Sequence, residues 1–134
     1  MGQMTRLILK MLLLVVGGVF ICTGCDTYRV QLTPHVAGWV IDPVTHEPIP
    51  NATIYFEAHP DHVMLSADGG YFDFPAITKR QPVPKDQLKS LSMSQTLTVK
   101  AYDYQQVEKK FEWTGIVSPV QTNLVIFLQP NNNP

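Results

Sequence analysis

The densest set of chemistry-bearing side chains is His59-Pro60-Asp61-His62-Val63-Met64, with two imidazoles, a carboxylate and a thioether in six residues. Imidazole with thioether suits copper, and imidazole with carboxylate suits zinc. A metal site needs three or four converging ligands, and His59, His62 and Met64 supply at most three. Met93, from a later irregular segment, is the further thioether within reach of such a site. The alternative is plain: Pro60 makes this stretch a turn-like connector, where polar side chains face water.

Other reactive constellations are missing from the sequence. There is no Gly-x-Ser-x-Gly elbow and no glycine-rich phosphate loop. Asp42, Asp68 and Asp103 stand beside proline, glycine or tyrosine in turn contexts, which explains them without catalysis. His35 and His46 fall in connecting segments. No acid–base pair or nucleophile can be named, so an enzyme is not expected. Tyr55, Tyr71, Tyr102, Tyr104 and Trp113 offer amphipathic aromatic surface, suited to recognition or to cross-strand pairing.

The two cysteines carry a different chemistry. Arg6 and Lys10 precede Met11 to Cys22, a run made only of apolar residues and glycine. Its length is that of a secretory h-region and is short for a spanning helix. Cys22-Thr23-Gly24-Cys25 follows and resembles the bacterial lipobox. That resemblance implies that residues 1–24 are a lipoprotein signal peptide and that Cys25 is lipidated as the mature N-terminus. The covalent lipid is then the only prosthetic group, and acyl chains hold the protein to a membrane. Asp26 resembles the sorting residue that favours inner over outer membrane, on the periplasmic side.

Beyond residue 24 lie 110 residues, enough for one core. They contain eight basic and eleven acidic residues, with no basic run, so nucleic acid is not an expected partner. Neither a disulfide nor a thiol site remains apart from Cys25 itself.

Those 110 residues are patterned for short strands. Val36–Ile41, Ala52–Ala58, Val63–Ala67, Tyr71–Phe74, Thr96–Tyr102, Val107–Trp113 and Thr122–Leu128 are β-rich, several with period-two alternation. Asp68-Gly69-Gly70 is hairpin-turn chemistry. Both faces of 122–128 are apolar, which predicts a central strand. Pro75 to Gln95 is the least regular stretch, and its Lys79, Arg80, Lys85 and Met93 form a candidate interaction loop. The expected fold is an all-β, antiparallel sandwich of about seven strands over 36–130. Residues 25–35 are expected as a lipidated tether and 131–134 as a disordered tail.

Val36 to Ile54, with Gly38-Trp39-Val40 and Pro48-Ile49-Pro50-Asn51-Ala52, resembles the opening of carboxypeptidase-regulatory-like domains, which are transthyretin-like sandwiches. Asp68-Gly69-Gly70-Tyr71-Phe72 and Val125–Pro130 resemble that family's internal hairpin and closing strand. The resemblance implies fold rather than activity. The resulting expectation is a non-enzymatic, membrane-anchored envelope module that contacts an envelope protein. The alternative is a ligand-binding module for envelope glycan or metal.

Overall fold

The computed structural model describes residues 26–131. Cys25, the expected signal peptide 1–24 and residues 132–134 lie outside the described residues. The described chain is all-β: β1 (Thr27–Gln31), β2 (His35–Ile41), β3 (Thr53–Phe56), β4 (Val63–Leu65), β5 (Tyr71–Phe74), β6 (Thr78–Pro82), β7 (Ser92–Lys100), β8 (Val107–Thr114) and β9 (Val120–Phe127). One short 3-10 turn, Lys85–Gln87, follows Pro84. No described helix is long and apolar enough to cross a membrane.

Two sheets make the sandwich, one ordered β5-β2-β9 and the other β4-β3-β7-β8. Pairing is antiparallel throughout except between β2 and β9, which run parallel. The core lies between the sheets. Val36, Val40, Phe72, Phe74, Leu124 and Ile126 face inward from the first, and Ile54, Phe56, Leu97, Val99, Phe111 and Trp113 from the second. Alternation explains this burial, because successive side chains on a strand point to opposite faces. Each buried aliphatic or aromatic side chain contributes roughly 1.5–3 kcal/mol of transfer free energy.

All seven expected strands are present, and two more are added. β1 and β6 pair antiparallel as a separate ribbon, from Thr27 opposite Pro82 to Gln31 opposite Thr78. The stretch expected as a tether is therefore structured among its described residues, with Val30 fully buried and His35 opening β2. The stretch expected as an irregular loop likewise contains β6 and the start of β7, joined by the 3-10 turn and loop between them. β1 leads into β2 and β6 follows β5, so the ribbon continues the β2–β5 pair beyond Leu32-Thr33-Pro34. Thr33 secures that junction, its hydroxyl accepting from the Ile77 amide at 2.8 Å.

Two further expectations are corrected. β9 is not central: among the described residues it pairs only with β2, and Val125 and Phe127 are about half exposed. Apolar residues on both faces of β9 reflect an uncovered outer face rather than burial on two sides. The Asp68-Gly69-Gly70 turn is tight as expected, the Gly70 amide donating to the Ala67 carbonyl and the Ala67 amide to the Tyr71 carbonyl at 2.8 Å each, but the strands it joins do not pair with each other. β4 pairs with β3 and β5 with β2, so this turn carries the chain from one sheet to the other. Gly70, at φ 71°, meets the need for a left-handed residue there, and a Cβ would sit 2.6 Å from the Val40 carbonyl oxygen. Asn131, expected in the tail, donates its amide to the Asp103 carbonyl at 2.7 Å.

Candidate functional site

The His59–Met64 segment forms the β3–β4 connection, tightened by the His62 amide donating to the His59 carbonyl at 3.1 Å. The imidazoles of His59 and His62 do approach each other, with ring centroids 6.4 Å apart and planes nearly perpendicular. Met64 instead lies on β4, half-buried against the core. His62 and Met64 line a cavity of about 350 Å3 with Val63, Phe74, Ala76 and Ile77. Met93 does not approach this place. It sits on β7 opposite Trp113 and lines a different cavity beside Glu112. Among the described residues no group of three or more His, Cys, Asp or Glu is arranged to hold a metal.

Asp42 is a structural centre. Its carboxylate is buried and accepts from the amides of Val44 at 2.7 Å and Thr45 at 3.1 Å, and from the Tyr104 hydroxyl at 3.0 Å. The Val44 and Thr45 amides, ahead of Tyr104, hold its pKa below the ordinary aspartate value. The bond to Asp42 raises that of Tyr104. A group with a depressed folded pKa adds stability above its unfolded pKa and loses it as pH falls through the folded one. Asp42→Asn is therefore expected to flatten the fall in Tm seen on acidifying the protein below the ordinary aspartate range. A wild-type and variant pair with parallel Tm–pH curves would refute the assignment.

The expected aromatic surface is redistributed. Trp113 faces the core, and its indole N–H is buried without a partner among the described residues. Tyr55 lies under the Lys100 ammonium, 5.3 Å from its ring centre. Tyr102 is 90% exposed, beside a shallow cavity with Asn51, Lys100 and Tyr104. Tyr71 is exposed as well, and its neighbour is Trp39, packed edge-on at 5.4 Å.

Trp39 is the residue that the sequence reading passed over. On the outer face of the three-stranded sheet, Tyr71 stands opposite Trp39, and Trp39 opposite Val125. Phe127 extends this row at the next outward position. The four are between 38% and 50% exposed, which defines an apolar stripe crossing three strands. The signal was available, since Val36 and Val40 face inward and a residue one step from Val40 must face out. At the polar end of the same sheet, His35 and Asp73 meet at 2.6 Å.

The residues expected to form one interaction loop are dispersed. Lys79 and Arg80 lie on β6, Lys85 opens the 3-10 turn, and Met93 is on β7. Lys85 and Asp26, two expected site residues 59 positions apart in sequence, form an ion pair at 3.0 Å. That contact lowers the Asp26 pKa and raises that of Lys85. β1 also brings Arg29 directly opposite Arg80. A basic cluster thus exists where the linear sequence has none.

These features define a small β-sandwich domain with one uncovered apolar sheet face and a basic ribbon at its N-terminal end. No protein-family model matches the chain, and no curated protein matches it in sequence.

Proposed function

We propose that this chain is a lipid-anchored protein of the bacterial envelope, a non-enzymatic module that holds a protein partner against the outer face of its β5-β2-β9 sheet. The observation that carries the reading is the Tyr71–Trp39–Val125–Phe127 stripe. Aromatic residues with an apolar body and a polar edge are enriched where proteins dock. β9 supports it further. Val120 to Phe127 holds no charged residue, and its second edge is unpaired among the described residues. Monomeric proteins usually blunt such an edge with charge, proline or a covering element. The lipid anchor is supported by the apolar run before Cys25 and by its resemblance to a lipobox. Inner-membrane retention through Asp26 belongs to the same reading.

The test has two parts. Cys25→Ser is expected to take up no labelled palmitate in cells, and label in the variant would refute the anchor. A photoreactive residue at position 39 or 125 is expected to cross-link to one protein, and one at position 109, on the other sheet, is not. Equal adducts from both faces, or none from either, would refute the docking face. A second reading, binding of envelope glycan, is favoured by the Trp39 and Tyr71 rings, which offer stacking surface. It predicts saturable quenching of tryptophan fluorescence by glycan fragments.

A further inference from the structure

Five of the eight basic residues that follow Cys25 belong to the β1–β6 ribbon and the turn after it: Arg29, Lys79, Arg80, Lys85 and Lys89. All five are exposed. The three elsewhere are each occupied. Lys110 pairs with Glu112, and Lys100 and Lys109 lie over the rings of Tyr55 and Phe111. On the ribbon, only Lys85 has an acidic partner among the described residues, namely Asp26. Asp86 is the one other acid on this stretch and makes no ion pair there.

Arg29 opposite Arg80 is the unusual feature. Direct cross-strand neighbours have Cβ atoms about 4.5–5.5 Å apart, and like charges there are destabilising. Two guanidinium groups at that spacing form a natural cradle for an oxyanion, because each presents a planar fork of donors. The ribbon is nevertheless well fixed to the sandwich. The Gln31 amide donates to the Ile116 carbonyl at 2.9 Å, and Ser118 donates its amide and hydroxyl to the Gln31 side chain at 2.6 and 2.8 Å.

Position supplies the occupant. The described chain begins at Asp26, tied to Lys85 and to the Val83 amide. The preceding residue is Cys25, and the apolar run ends three residues earlier at Cys22. Arg29 lies four residues from Cys25, about 13 Å at strand rise. That reach is an upper bound on the separation, so the ribbon can lie against the bilayer, where an anionic surface attracts cations within a Debye length of about 8–10 Å at physiological salt.

We propose that the β1–β6 ribbon is a second, electrostatic membrane contact, in which Arg29 and Arg80, paired on one face of the ribbon, bind the phosphates of anionic lipids with Lys85 and Lys89 from the turn beyond it. It rests on the lipid-anchor reading. Acyl chains set the protein on the bilayer, and the ribbon sets its orientation. With the ribbon down, the charge-poor stripe of β5-β2-β9 is carried on a sheet that leads directly away from the contact.

The experiment uses the full chain, reconstituted into vesicles of phosphatidylcholine alone or of phosphatidylcholine with phosphatidylglycerol. Lysine acetylation is followed residue by residue with mass spectrometry. Lys85 and Lys89 are expected to react about threefold or more slowly on the anionic vesicles, while Lys100, Lys109 and Lys110 keep their rates. High salt should erase the difference. Equal rates on both vesicles, or uniform slowing of all six lysines, would overturn the contact. The same protection from inorganic phosphate on neutral vesicles would make this a free-anion site and overturn the lipid assignment.

Arg80→Glu gives Arg29 an opposite charge, so its Tm should equal or exceed that of wild type while anionic-lipid protection disappears. Protection that survives this change would also sink the proposal. Failure of the chain to float with either vesicle would refute the anchor and the contact together. Flotation with both and equal footprints would refute the ribbon alone.

Discussion

Gly38→Ala is expected to cost about 3 kcal/mol or more and to release β9 from the sandwich. β2 and β9 run side by side, from His35 opposite Val120 to Ile41 opposite Phe127. Their register slips between Val36 and Gly38, where β9 carries one residue more than β2. The bulge presses the Leu124 backbone onto Gly38. A methyl group there would overlap the Leu124 carbonyl oxygen and stand 2.6 Å from its carbonyl carbon. The obstruction is backbone on both strands, so no rotamer change relieves it. β9 must move, and with it Leu124, Ile126 and Leu128, all buried. Against a total stability of about 5–15 kcal/mol for a domain of this size, that is a large fraction. Denaturant unfolding checks the size of the loss. Hydrogen exchange checks its place, since β9 amides should lose protection ahead of those in β3 and β7. A variant with wild-type stability would mean that the two strands are not so closely seated.

The stripe would be lost with β9, because Val125 and Phe127 form half of it. The glycine that permits close strand approach is thus also what aligns Val125 with Trp39. A strand glycine normally weakens a sheet, and one retained in a strand points to a bulge or a close backbone approach. Gly38 meets both descriptions.

How far the sequence discloses this structure depends on how each strand is buried. The seven expected strands have an apolar inward set, such as Ile54 and Phe56 or Leu97 and Val99, and alternation exposes them. β1 has only Val30 fully buried, and β6 reads Thr-Lys-Arg-Gln-Pro with no buried residue. A two-stranded ribbon lying along loops needs no apolar stripe, so periodicity cannot find it. The basic cluster was hidden for the same reason. Arg29 and Arg80 meet only through strand pairing, and no local pattern records a partner 51 residues away. Trp113, expected with the surface aromatics, is core instead, and the signal for that was present, because Val107, Phe111 and Trp113 share the parity that faces inward. The placement of β9 was not, since apolar residues on both faces describe a doubly buried strand and an uncovered edge strand equally well.

Phe56→Ala carries the second large expected effect, and it separates core from contact surface. Phe56 is fully buried on β3. Its ring meets Phe74 edge-on at 5.2 Å and Phe111 at 6.2 Å. Phe74 belongs to β5 in the other sheet, so Phe56 is a tie between the two layers as well as a member of one. Truncation removes the apolar transfer free energy and leaves a cavity that two rigid sheets cannot close, at a cost of about 3–5 kcal/mol. The lost aromatic pairs account for roughly 0.5–1.5 kcal/mol each within that total. Phe56→Leu keeps most of the volume and should cost far less. On the outer face the expectation reverses. Phe127→Ala, half exposed on β9, should change stability by about 0.5 kcal/mol or less, yet weaken cross-linking from position 125 severalfold. Urea midpoints for the three variants, read beside cross-link yields, test both roles at once. If Phe127→Ala proved as destabilising as Phe56→Ala, the stripe would be core covered by something else in the native chain. If it left cross-linking unchanged, the partner would have to sit elsewhere on the sandwich. Only a loss of cross-linking without a loss of stability fits a surface kept apolar for contact.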